Sequence, residues 1–447
     1  MRPKQHADLD PSHAGTTETK GFDRRQALKS LVAAGGLGLG IPGLAHAQFR
    51  VDVAGIGLTQ RPFAIAPFRG RSSHPTAFDD VVSADLERSG LFRAVPVTSD
   101  PLDESSLPDL APWRARGIDA LITGSVNRAA NGRVDVRYRL WDVVAGEDLG
   151  GVSVPVTTES PRLAAHQVAD SIFEKLTGIR GVFSTRIAYV TQTGQKHQLW
   201  VADADGEGAQ PALTSPEPIV SPVWSPDGSE LAYVSFESRK PVIYVHTVAT
   251  GKRRLMANFK GSNSAPAWSP DGEKVVATLT LSGSSQVYLL SKDGTPPKRI
   301  TSSRSIDTEP CFSPDGGQLY FVSNRGGSPQ IYRMPVSGGG ASRVTFKGSY
   351  NTSPSLSADG RYMAYISRVE SAYRVHVMDL ASGEVRALTD TEADESPSFA
   401  ANSQMLIYAT RLNGRDALMT VSSDGNIRTR LAGAVGDIRE PDWGPFR

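Results

Sequence analysis

With 447 residues, 39% hydrophobic and 21% charged, the chain carries apolar material for more than one core and lacks the bias of a disordered or fibrous protein. Lys and Arg total 48 against 47 Asp and Glu, a formal net charge of +1, so composition leaves no electrostatic footprint for nucleic acid or an anionic membrane. The single cysteine, Cys311, excludes an intrachain disulfide and a cysteine-based metal cage, and is expected to be a small core residue.

Residues 1–47 read as a cleaved export signal. A polar lead ends in "DRRQALK" (23–29), the apolar "SLVAAGGLGLGIPGLA" follows, and "AHA" closes the segment. Small residues at Ala45 and Ala47 place cleavage between Ala47 and Gln48. Arg24-Arg25 before a glycine-softened apolar run gives the signal a twin-arginine character rather than a general secretory one. "GLGIPG" (38–43) matches a dinucleotide-binding pattern, but no strand precedes it and a proline interrupts it, so it carries no weight. No later stretch approaches the roughly 18 apolar residues of a membrane span, and the mature chain is expected to be soluble outside the cytoplasm.

Residues 48–180 have mixed grammar: a strand in "FAIAPF", a helix through "FDDVVSADLERSG", a strand near Phe92, then strands in "GIDALITGSV" and "RVDVRYRLWDV". A last helix is expected to be capped by Ser160, to take Pro161 in its first turn, to bury Leu163, Val168, Ile172, Phe173 and Leu176, and to stop at Gly178. This predicts an α/β domain ending near Arg180.

From 181 to 447 the chain repeats. Pro222, Pro266, Pro310, Pro354, Pro397 and Pro441 recur about every 44 residues, each followed two residues on by Trp224, Trp268, Phe312, Leu356, Phe399 or Trp443. Ser-Pro-Asp-Gly or Ser-Ala-Asp-Gly usually comes next, with proline presetting φ, aspartate bonding nearby backbone and glycine taking positive φ, which is the chemistry of a strand reversal. Second strands such as "ELAYVS", third strands carrying Trp200, Tyr244, Tyr288, Tyr332, His376 and Met419, and fourth strands such as "KRIT" complete four strands per unit. Four short strands at this period predict a six-bladed β-propeller. The first unit lacks its opening strand and "EPDWGP" has no unit after it, so the two ends are expected to complete one blade.

Catalytic motifs are sparse. There is no G-x-S-x-G, and His74, His166, His197, His246 and His376 show no metal-ligand spacing, so no catalytic residue, metal or cofactor is assigned. His376 takes the third-strand aromatic position and is expected to be structural. The residues just before each opening proline should sit at the channel mouth, where Glu309, Glu395 and Glu440, with Asp307 and Asp394 alongside, are expected to form an acidic rim. Such a rim suits a basic or donor-rich peptide, or alternatively a glycan, bound or hydrolysed by a carboxylate pair.

The motifs "RPFAIAPF", "GIDALITGSV", "IFEKLTGIRGVFSTRIAYV", "SPVWSPDGSELAYVSFES", "NSAPAWSPDG" and "TEPCFSPDG" resemble the TolB family, periplasmic propellers of the Tol–Pal envelope system, over essentially the whole mature chain. The resemblance implies a monomeric, non-catalytic periplasmic scaffold that supports outer-membrane integrity and constriction during division. It implies Pal binding at the mouth through Ser262, Ala265, Thr308, Glu309, Asn351, Glu395 and Glu440. It also implies TolA binding through the first mature residues, Gln48, Phe49, Arg50, Val51, Asp52 and Val53 in "QFRVDVAGIG". Ser262 departs from the histidine that the family pattern leads one to expect there, and the twin-arginine signal is a second departure.

Overall fold

Short apolar runs in the first part of the chain build one sheet with helices against it. Its elements are β1 (Arg61–Ile65), α1 (Phe78–Arg88), β2 (Phe92–Ala94), α2 (Ala111–Ala115), β3 (Ala120–Arg128), β4 (Val134–Asp142), β5 (Glu147–Val156) and α3 (Pro161–Thr177). The strand order is β2-β1-β3-β4-β5, with β1 parallel to both neighbours and the remaining pairs antiparallel. The computed structural model describes residues 60–157, 160–292, 295–431 and 437–447. The export signal, the Ala47/Gln48 junction and Gln48–Val53 lie outside the described residues. Among those described, no helix is long and apolar enough to cross a membrane.

The helix α1 buries Phe78, Val82 and Leu86, one stripe at a four-residue spacing, and carries Asp79 and Asp80 in its first turn, where the helix dipole favours them. In α3, Pro161 begins the helix, and Gly178 ends it at φ +74° with its N–H on the Glu174 carbonyl at 2.7 Å. The expected Ser160 cap is absent: its side chain makes no capping hydrogen bond. Two elements were not foreseen, α2 and the edge strand β5.

Each repeat folds as a four-stranded antiparallel blade. Blades 2 to 6 span 219–257, 263–299, 307–343, 351–387 and 395–430. Blade 1 combines β6 (Arg186–Thr193), β7 (Lys196–Asp203) and β8 (Gln210–Ser215) with the chain's last strand, Asp437–Trp443, which pairs with β6. The expected count of six and the closure by both ends are therefore what the structure has. Within blades, second- and third-strand rings face each other: Tyr189 on Trp200, Tyr233 on Tyr244, Phe321 on Tyr332 and Tyr365 on His376, at centroid distances of 5.9 to 6.5 Å. His376 is thus a packing residue. The Ser-Pro-Asp-Gly turn works as its chemistry requires. Ser225 Oγ donates to Asp227 at 2.6 Å and accepts the Glu230 N–H at 2.9 Å, while Gly228 sits at φ +67°.

The connector between the domains is tied at both ends. Phe183 joins an edge-to-face aromatic row with Phe173, Phe92 and Phe63 in the α/β core. The Asp170 carboxylate on α3 accepts the N–H groups of Phe183 and Ser184 at 2.7 and 3.1 Å. Arg180 stacks over Phe446 with 4.0 Å to the ring centroid, and Trp443 Nε1 donates to Thr185 Oγ1 at 2.8 Å. Deleting Glu440–Arg447 removes these contacts and frees the inner edge of β6. We expect a stability loss on the order of 5 kcal/mol, comparable to a large core deletion. A thermal melt of the truncated protein that coincides with the full chain would show that the ring does not depend on this strand.

Candidate functional site

The inner strands converge on a central channel of about 740 Å³. In every blade the register between first and second strands slips at the opening proline. In blade 2, for instance, Val220 faces Val234 and Val223 faces Ala232, leaving Ser221 and Pro222 as a bulge opposite Tyr233. The residue before each proline, Ser221, Ala265, Glu309, Ser353, Ser396 and Glu440, has φ between +47° and +53°, a left-handed conformation unusual for a side chain larger than glycine's. All six line the channel, as expected from sequence, and none of the described lining residues is basic.

The bulge turns backbone N–H groups toward the neighbouring blade, and carboxylates take three of them. Glu309 of blade 4 accepts from Ser353 N at 2.7 Å and from its hydroxyl at 3.2 Å. Glu395 of blade 6 accepts from Glu440 N at 3.3 Å, and Glu440 of blade 1 accepts from Ser221 N of blade 2. Burial pushes the carboxyl pKa of all three above the ordinary range. One layer deeper, Ser398 Oγ accepts the Trp443 N–H at 3.0 Å and donates to Asp442 at 2.7 Å. Asp442 in turn accepts the Trp224 N–H at 2.8 Å. The opposite wall at this level is Val223, Ala267 and Cys311, the last with its thiol pushed up to about 12 by burial and the Glu309 charge. A carboxyl pair for sugar chemistry needs an acid and a base turned toward substrate; here each mouth glutamate commits an oxygen to a neighbouring blade.

Three candidates do not reach the rim. Asp307 and Asp394, expected in the acidic mouth, are buried, as is Asn351. These side chains turn back under the loop that precedes them. Asp307 accepts from Ser303 at 2.8 Å and pairs with Arg325 at 2.9 Å, and Asn351 donates to Gln330 at 2.7 Å and the Lys347 carbonyl at 2.8 Å. Asp394 accepts from Thr389, Thr391 and Thr410. Neither Glu395 nor Glu440 is an outer-rim group: both are partly buried, and Glu440 lines the channel. Thr308 is half-buried, with Thr278 Oγ1 at 3.3 Å, and Ser262 N donates to Thr280 Oγ1 at 2.7 Å. Sequence reading missed an apolar arc on the same face: Ile306 is 52% exposed and Phe346 72%, on loops entering blades 4 and 5, with Tyr350 packed edge-on against Tyr373 nearby. Lone apolar residues in loops give no periodic signal by which to find them.

Residues 173–447 match the family model of the TolB beta propeller domain, and residues 49–149 that of the TolB amino-terminal domain. The chain belongs to the TolB family. It is 71% identical over 423 residues to the Tol-Pal system protein TolB of Polaromonas sp., covering 95% of this chain and 98% of that one. It is 52% identical to the protein of the same name from Bordetella pertussis, covering 90% and 92%. The crystal structure of TolB from Acinetobacter baumannii superposes with a TM-score of 0.81 at 40% identity, covering 87% of this chain and 97% of that one.

Asp442 gives the channel a pH signature. Burial raises its carboxyl to about 6, well above the unfolded value of about 3.9. The folded state therefore holds this proton more tightly, so its stabilising contribution is complete below pH ~4 and is lost as pH rises through ~6. Denaturant titrations should show the wild type gaining up to about 3 kcal/mol relative to Asp442→Asn between pH 7.5 and 4. A difference that stays flat with pH would show that the buried carboxyl is not protonated in this range.

Proposed function

We propose that this chain is a periplasmic, non-catalytic member of the Tol–Pal system that binds Pal at the propeller mouth and TolA through Gln48–Val53, supporting outer-membrane integrity and constriction. The observation that carries the reading is the asymmetry of the mouth. Glu309 is poised beside Ser353 at the entrance to blades 4 and 5, and the exposed Ile306 and Phe346 stand on the loops entering the same two blades. An acidic acceptor next to exposed apolar side chains is the composition of a protein-binding spot, in which one buried polar contact is surrounded by water-excluding neighbours. Ser262, Ala265 and Thr308 extend the surface over blades 3 and 4, and Glu395 and Glu440 close it from the far side. In this reading Asp307, Asn351 and Asp394 act indirectly, by holding the loops that carry the contacts.

Truncating the central acceptor removes a partner hydrogen bond and leaves the Ser353 N–H without its acceptor. Glu309→Ala should weaken Pal binding by roughly 1.5–3 kcal/mol, and Glu309→Gln, which retains an acceptor oxygen, by less. Calorimetry of the mature protein with the soluble part of Pal measures both. Wild-type affinity in Glu309→Ala would overturn the assignment of the mouth, and release of sugar from peptidoglycan without Pal binding would favour a glycan-directed role. Mass spectrometry of the exported protein should find Gln48 at its N-terminus. Export unaffected by joint Arg24→Lys and Arg25→Lys substitution would assign the signal to ordinary secretion.

A further inference from the structure

Far from the mouth, six charged side chains meet between the α/β domain and blade 1. His166 of α3 is 1% exposed, with Nδ1 2.6 Å from Asp85 Oδ2 on α1 and Nε2 3.7 Å from Asp203 Oδ2 at the end of β7. Arg88 pairs with the other oxygen of Asp85. Arg162, one turn before His166, pairs with Asp205 and approaches Asp203 to 3.7 Å. Asp85, Arg88, Arg162 and His166 belong to one domain, and Asp203 and Asp205 to the other.

Among these six side chains the charges balance with a proton on the ring. Three carboxylates face two guanidiniums, and an imidazolium supplies the third positive charge. A divalent cation is a poorer fit. Ligand atoms of Asp85, His166 and Asp205 lie within 4.8 Å of one another, but Arg88 and Arg162 already occupy both carboxylates, and a doubly charged ion would overshoot neutrality. A neutral ring fails as well: with Nδ1–H on Asp85, its Nε2 lone pair would face a carboxylate oxygen of Asp203, turning an attraction into a repulsion.

We propose that His166 is a clasp whose imidazolium, held between Asp85 and Asp203, fastens the α/β domain to blade 1. Burial acts against the charged ring, but Asp85, Asp203 and Asp205 outweigh it and lift its pKa to about 9. Other charged groups beside the cluster are Asp170 on α3, Arg186 and Arg447 behind Asp203, and Asp80, Glu87, Glu207 and Arg430, which line one pocket with Arg88, Arg162 and Asp205. With the folded pKa raised above the unfolded ~6.5, the clasp is complete below that value and weakens only as pH rises through about 9. It stays shut at neutral pH.

The test uses the full mature chain with 13C-labelled histidine. By NMR, the His166 ring should titrate near 9 in the wild type, and Asp203→Asn, at a partly buried site, should lower that pKa by about one unit or more. Hydrogen exchange at pH 7.5 supplies the second readout: amides of the connector, 178–185, should exchange about tenfold faster in Asp203→Asn and in His166→Gln. A ring titrating near its ordinary 6.5, a zinc-dependent shift of its resonance, or connector exchange unchanged in Asp203→Asn would each overturn the proposal.

Discussion

The pairing of the last strand with β6 is the constraint on which the rest depends. It sets Asp437 against Gln192 and Trp443 against Ile187, joining residues from opposite ends of the propeller sequence. A blade needs apolar neighbours on both faces, so an open ring would leave two sheets half-solvated. Closure also places Glu440 and Asp442 against blade 2, where they accept the N–H groups of Ser221 and Trp224. The same short terminus then reaches the connector through Trp443 on Thr185 and Phe446 under Arg180. Ring integrity, channel wall and domain junction therefore share one stretch of chain, and perturbing it is felt at all three.

What was legible in the sequence was what local chemistry determines. The Ser-Pro-Asp-Gly turn and its Ser-Ala-Asp-Gly variant need only their own residues, and the six opening prolines at near-constant spacing give blade number and closure. The strand β5 escaped notice because only Val154 of its ten residues is buried, and Gly150-Gly151 reads as a turn. Gly151 is there for a different reason. A Cβ at that position would stand 1.8 Å from the Tyr138 carbonyl oxygen, so β4 and β5 can approach only across a glycine.

The mouth was legible in part for a similar reason. Proline marks the bulge, and the residue before it faces the channel wherever the repeat is in phase. Two residues further back, the rule inverts. Asn263, Asp307, Asn351 and Asp394 look like solvated loop polarity yet are buried ties for the loop that precedes them. A carboxylate beside a turn does not reveal which way it faces, because that depends on donors such as Arg325 or Thr410 elsewhere in the blade. The His166 cluster was the least legible, since Asp85 lies 81 residues away and nothing in the spacing joins them.

The six left-handed residues at the channel have side chains as different as Ala265, Ser353 and Glu440, yet their φ values agree within a few degrees. Their geometry is imposed by the bulge and not by the side chain, so a mouth position can change identity while its backbone stays in place. The neighbours are nevertheless not independent. Glu309 reaches forward to blade 5, Glu395 forward to blade 1 and Glu440 forward to blade 2, always in the direction of increasing blade order. A change at any of these three glutamates is therefore felt by the backbone of the next blade, so that the mouth contacts run one way around the ring.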